Sequence, residues 1–204
     1  MTPATPSDDR AAKSRKGEET RERILETALR LFRERGYQET TMRSVADEAG
    51  VSLGNAYYYF ESKEHLIQAF YARTVAAHEE RVPQLLAQHR DFERRLRAVL
   101  HAKVDVDAPY HRFSGVLFRT AADPESPLNP FSRESLPVRR RAEDVWARVV
   151  EGSSFRPPKQ LAAELPNLLW TYQMGVTLFW IFDRSPEQRR TRDLIDTTAP
   201  FVAR

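Results

Sequence analysis

The chain has no cysteine among its 204 residues, which excludes disulfides, thiolate metal ligands and a cysteine nucleophile and suits a reducing compartment. Strand-like alternation is scarce, no internal repeat is evident and no heptad pattern persists, so the pattern predicts helices without a coiled coil. The histidines, His65, His78, His89, His101 and His111, lie far apart and form no HExxH pair. Neither a GxSxG elbow nor a GxxxxGK phosphate loop occurs. An enzyme is therefore not expected, and no cofactor or metal is implied. The opening stretch MTPATPSDDRAAKSRKGEE lacks the apolar segment of a secretory signal. Residues 1–17 are expected to be a disordered tail, and the protein is expected in the cytoplasm.

Long apolar runs are also rare. Leu165–Phe182, LPNLLWTYQMGVTLFWIF, is uncharged and near the minimum length of a membrane span. Pro166, Asn167, Thr171, Gln173, Gly175 and Thr177 make it a poor candidate for insertion. Burial between protein surfaces, a subunit interface included, is the expectation for such a helix. Charge is not one-sided either: the formal net charge is +3, and up to Phe60 basic and acidic residues are about equal in number. Charge alone does not identify a nucleic-acid partner.

What is present is helix after helix. Ile24, Leu25, Ala28, Leu31 and Phe32 share one face, and Gly36 follows as a C-terminal cap. Thr41 can cap a short helix with Val45, Ala46 and Ala49 inward, and Gly50 can take the left-handed conformation that turns the chain. Ser52 can cap the next helix, and Ser62 another with Leu66, Ile67 and Phe70 inward. Beyond Pro83, amphipathic pieces span about 91–107, 110–122, 131–151, 159–183 and 186–202. Proline-rich breaks at 123–130 and 156–158 separate several of them. The fold class is all-α.

The stretch SLGNAYYYF, Ser52 to Phe60, reads locally as strand, yet its setting is helical. At about 100° per residue, Ser52, Ala56 and Phe60 cluster and can face a core. Leu53, Gly54, Tyr57 and Tyr58 occupy the adjoining arc, with Asn55 and Tyr59 on the other flank. Exposed aromatics in such number suit a docking surface.

Two short helices joined by Ala49-Gly50-Val51 make a helix-turn-helix unit. With the preceding helix, TTMRSVADEAGVSLGNAYYYFESKEHL resembles the N-terminal domain of the TetR (tetracycline-repressor) family of transcriptional regulators. The double threonine, the turn, Ser52, Gly54, the Tyr57-x-x-Phe60 spacing and Ser62-Lys63-Glu64 carry the resemblance over about a quarter of the chain. It implies a three-helix DNA-binding domain at 18–64 and a larger helical effector-binding and dimerisation domain at 65–204.

On DNA, each outward residue has a use. Gly54 would let the backbone approach base edges, and Tyr57, Tyr58 and Tyr59 can touch thymine methyls and donate to phosphates. Asn55 could bond an adenine edge or a phosphate, and Arg43 a phosphate or a guanine. Thr41, Ser52 and Lys63 would hold phosphates. Leu53 stands where the family often has a basic or polar residue, which leaves apolar contact only. Arg10, Lys13, Arg15 and Lys16 could reach an adjacent minor groove or simply be solvated.

By the same resemblance the C-terminal domain should hold a pocket for an unknown small-molecule effector. Phe113, Phe118, Trp146, Trp170, Tyr172 and Trp180 could supply aromatic walls, the first five being the pocket candidates. The last two helices would form a homodimer, with Gly175 allowing close approach, and the dimer would bind a palindromic double-stranded operator. Arg139, Arg140 and Arg141 read as a solvated helix face. A regulator without an effector remains the alternative, and a roomy cavity against a filled core would separate the two.

Overall fold

The computed structural model describes the backbone of residues 6–204 and the side chains of residues 15–204 apart from that of Val116. Among the described residues there are helices and no strands. The chain divides into two compact units, Met1–Phe70 and Tyr71–Arg204. The division falls inside a helix, whereas the sequence reading put it between Glu64 and His65.

The first unit begins with α1, Pro6–Arg35. From residue 6 the backbone is helical, whereas the sequence suggests a tail to residue 17; residues 1–5 lie outside the described part. Proline is favoured in a first helical turn, and the Ala, Lys and Arg that follow are good helix formers. Ile24, Leu25, Ala28, Leu31 and Phe32 are fully buried, as their spacing predicts. Gly36 ends the helix at φ +90°, a conformation that glycine adopts without steric cost. Buried Thr40 donates back to the Gly36 carbonyl at 2.8 Å. Next come α2, Met42–Ala49, and α3, Leu53–Tyr59.

The boundary helix α4, Lys63–Gln88, carries Pro83 inside it. Proline removes one backbone donor from a helix interior. Here the fully buried Val82 and the packing of Leu86 against the core of the second unit hold the helix on either side.

The second unit continues with α5 (Phe92–Asp107), α6 (His111–Ala121), α7 (Leu136–Val150), α8 (Lys159–Ala162), α9 (Leu165–Phe182) and α10 (Arg189–Val202). Short 3-10 turns precede α6 and α10. Two helices are shorter than their apolar patterns suggested. Residues 131–135 are turns, and α7 starts only at Leu136. The expected helix over 159–183 is broken after Ala162, because the ring of Pro166 would meet the carbonyl four residues earlier.

Leu96, Val99, Leu100, Val145, Trp146, Val149, Leu169, Val176, Trp180 and Ile195 join in one core. On α9 the buried residues Leu165, Leu169, Trp170, Gln173, Val176, Trp180 and Ile181 form one face. The other face leaves Leu168, Leu178, Phe179 and Phe182 exposed, as are Phe201 and Val202 on α10. No described helix is long and apolar enough to cross a membrane.

Two buried charged groups fasten helix ends. Arg95 donates to the carbonyls of His89 (2.6 Å) and Leu86 (3.2 Å) at the end of α4, and to those of Val149 (3.4 Å) and Glu151 at the end of α7. A cation there also complements the negative ends of both helices. Asp183 accepts from the backbone N and Oγ of Ser185 (2.9 and 2.7 Å) and from the backbone N and Oγ1 of Thr191 (2.8 Å each). Burial alone would raise its pKa, but these four donors outweigh it and hold the carboxyl at about 2.

Candidate nucleic-acid interface

Caps fix the two helices of the hairpin at each end. Thr41 Oγ1 accepts from Ser44 N at 3.1 Å while Ser44 Oγ accepts from Thr41 N at 3.0 Å, a reciprocal capping box. Gly50, at φ +65°, donates to Asp47 O at 3.2 Å, and Val51 N to Ala46 O at 3.0 Å, the double closure that ends α2 and sets the turn. Ser52 Oγ then accepts from Asn55 N at 3.1 Å and starts α3. Ser62 Oγ similarly accepts from His65 N, at 3.4 Å, at the start of α4. All four capping roles read from the sequence are present.

Ion pairs across α1 and α2 add to the apolar contact. Glu48 accepts from both Arg30 and Arg35 at 2.7 Å, and Arg23 Nε donates to Ala49 O at 3.1 Å. The two guanidiniums hold the Glu48 carboxyl below its ordinary pKa, the Arg30 hydrogen bond contributing most. Nothing in local spacing signals these pairs, since they join residues 13 and 18 apart.

The helix α3 is seven residues long and would not hold its shape alone. Ala56 and Phe60 anchor it, at 0% and 2% exposure, and the Arg21 guanidinium lies 4.9 Å above the Phe60 ring. Ser52, expected on this inward face, is instead exposed at the cap. Tyr57 is 46% and Tyr58 80% exposed. Gly54 is exposed, and a Cβ there would meet no atom within 4 Å, so packing does not require a glycine. Leu53 and Asn55 are half-buried.

Tyr59 differs from its neighbours. Its ring stands edge-on to that of Tyr58 at 5.1 Å, and its hydroxyl lies beside Gly17 of α1, 3.6 Å from where a Cβ would stand. Thr41 and Arg43 are exposed at the start of α2, and Arg43 has no hydrogen bond or ion pair among the described residues. Lys63, expected to be open to a phosphate, is turned inward. Its ammonium donates to Tyr37 O at 2.8 Å and lies 4.4 Å from the centre of the Tyr37 ring. Tyr37 in turn donates to Glu64 at 2.7 Å. Arg15 and Lys16 are exposed on α1; the side chains of Arg10 and Lys13 lie outside the described residues.

The pocket candidates of the second unit are mostly core. Phe113 and Trp146 are 1% and 0% exposed and Trp170 3%, and Trp146 Nε1 donates to Gln173 Oε1 at 3.2 Å. Phe118 packs partly buried against the core and edge-on to exposed Phe182. Tyr172 shares a hydrogen bond with Thr198 of α10. A recess between α5 and α9, with room for about one water-sized group, is lined instead by Leu100, Lys103, Gln173, Val176, Thr177 and Trp180, among others. Gln173, Thr177 and Trp180 follow helical spacing on α9, and two polar residues on an apolar helix were the available signal.

Comparison with known proteins agrees with this architecture. Residues 24–70 match the bacterial regulatory proteins of the tetR family, and residues 95–204 the tetracyclin repressor-like C-terminal domain. The HTH-type transcriptional repressor KstR2 of Rhodococcus jostii is 43% identical over 67 residues, which span 33% of this chain and only 30% of that protein. The HTH-type transcriptional repressor KstR of the same organism is 30% identical over 159 residues, spanning 68% of this chain and 74% of the repressor. Among solved structures, Thermus thermophilus FadR, a TetR-family repressor in complex with lauroyl-CoA, superposes with a TM-score of 0.65 at 24% identity over 88% of this chain and 93% of its own. Bacillus subtilis FadR in complex with stearoyl-CoA gives 0.67 at 15% identity, covering 89% and 96%. These two likenesses carry the fold alone. The matched domains span both units, and the chain belongs to the TetR family of bacterial transcriptional regulators.

Proposed function

We propose that the protein is a repressor that binds a palindromic operator as a homodimer and leaves it when a small molecule binds the second unit. The observation that carries the DNA half is the exposure of Tyr57 and Tyr58 on a helix whose opposite face is anchored by Ala56 and Phe60. A ring as exposed as that of Tyr58 has little use in the fold itself. In the major groove the two rings would meet thymine methyls and phosphates, with Leu53, Gly54 and Asn55 at the base edges and Thr41, Ser52 and Arg43 at the backbone. The apolar outer face of α9 and α10 is the surface assigned to the partner copy, which would set two recognition helices roughly 34–36 Å apart.

Support for a small-molecule effector is that two regulators of the same fold are in complex with lauroyl-CoA and stearoyl-CoA. Helix α4 belongs to both units, so a ligand that favours one setting of α4 would shift operator affinity by its differential binding energy, commonly about 1–3 kcal/mol. The filled core around Trp146 and Trp180 favours a second reading, a regulator that needs no effector.

Selection of bound sequences from random duplexes tests the first half: an enriched palindrome is expected, and no enrichment would sink it. Titration of lauroyl-CoA and stearoyl-CoA into the operator complex tests the second. Release supports the sensor; an operator complex unmoved by ligands that bind the protein supports the second reading.

A further inference from the structure

Trp180 is 2% exposed, and its indole Nε1 has no hydrogen-bond partner. Buried indole N–H groups are normally paired, as that of Trp146 is, in the same core. Trp180 is nonetheless firmly placed. Its carbonyl accepts from His111 Nε2 at 2.8 Å, and the two rings meet edge-on at 4.8 Å.

Trp180 lines the recess between α5 and α9. Two of the other polar residues there, Lys103 and Asp107, are already joined to each other at 2.6 Å. Gln173 gives its Oε1 to Trp146, so Nε2 is the end of its amide that can still donate. The groups that remain at the recess can all donate: an indole N–H, an amide NH2 and the Thr177 hydroxyl, which can also accept. Leu100 and Val176 supply apolar wall.

A small donor-lined, apolar-walled recess suits an oxygen that accepts hydrogen bonds at the end of an apolar chain. The geometry points to Trp180 Nε1 and Gln173 Nε2 as the polar anchor for the carbonyl or carboxylate oxygen of an acyl-chain effector. This rests on the ligand-responsive reading above. The same donors could hold a water molecule, and the test separates the two sources of oxygen.

The full-length protein labelled with 15N in its three tryptophans gives one indole N–H resonance for each, that of Trp180 being the one missing in Trp180→Phe. Laurate, lauroyl-CoA and, as a cationic control without an accepting group, dodecylamine are the probes. The Trp180 resonance is expected to move with laurate or lauroyl-CoA and to stay in place with dodecylamine. Trp180→Phe, melting as the wild type does, should bind the active probe about fivefold more weakly, the effect of one lost hydrogen bond. If that variant does not fold, Thr177→Val supplies the affinity readout.

A probe that binds and releases operator while the Trp180 resonance and the variant's affinity stay at wild-type values overturns the subsite and leaves the sensor reading standing. Failure of both acyl probes to bind overturns the subsite and the acyl-chain effector, while release by another small molecule stands. An indole N–H in contact with water alone throughout the titration overturns the subsite as well.

Discussion

Lys63 reaches back from the first residue of α4 to the carbonyl of Tyr37, at 2.8 Å, with its ammonium 4.4 Å from the centre of the same residue's ring. Two residues 26 apart in the chain thereby tie the start of α4 to the turn between α1 and α2. A lysine read as a phosphate ligand is, in the free protein, a strut of the DNA-binding unit.

Replacing Lys63 with methionine keeps the stem and removes the charge. The expected result is a loss of about 1–2 kcal/mol in stability by urea denaturation. The slope of operator affinity against salt should change by well under one unit. A flattening by about a full unit would put the ammonium on a phosphate instead.

Tyr58→Ala removes a ring that is 80% exposed. Stability should stay within about 0.5 kcal/mol of wild type, while operator binding weakens by about 1–3 kcal/mol. Equal affinities in a gel-shift titration would remove Tyr58 from the interface. Tyr57→Ala should weaken binding on the same scale with a small additional cost to folding, because Tyr57 is only half exposed.

Arg95→Met leaves carbonyls at the ends of α4 and α7 without their buried donor. A destabilisation of about 2–4 kcal/mol is expected in denaturant. A loss below about 1 kcal/mol would mean that water takes over the guanidinium's place.

His78 supplies a pH test. Burial, and then the nearby Lys103, holds its pKa down at about 3, although the hydrogen bond to Val99 O opposes this. The unfolded chain takes up its proton near the ordinary value of 6.5, before the folded one can. Stability from this group is therefore complete above about pH 6.5 and is lost as the pH falls from there towards 3. His78→Gln should flatten the decline in melting temperature across that window. An unchanged slope would show that the loss arises elsewhere.

Local signals made the hairpin legible. Thr41, Gly50 and Ser52 act within four residues of themselves, so sequence spacing already contains their hydrogen bonds. The same holds for the buried stripe of α1. Lys63 and Tyr37, or Glu48 and its two arginines, meet only through the tertiary fold, and no local pattern announces them. Proline alone does not decide where a helix ends: Pro83 lies inside α4, while Pro166 stands in the first turn of α9, just after the break that follows α8. The difference lies in whether neighbouring side chains are buried firmly enough to carry the helix across a missing bond. Aromatic type likewise does not distinguish a cavity wall from a packed core, so Trp146 and Phe113 suit either from the sequence, with core the commoner use, and both are buried.

The anchoring of α3 by Ala56 and Phe60 has a consequence for how such a protein can diverge. Because those two side chains and the Ser52 cap hold the helix, Leu53, Gly54, Asn55, Tyr57 and Tyr58 are under little obligation to the fold. Gly54 even has room for a side chain. Descendants of this sequence could exchange all five and acquire a new operator without first passing through an unstable ancestor, so the vocabulary of sites can change while the grammar of the hairpin stays fixed.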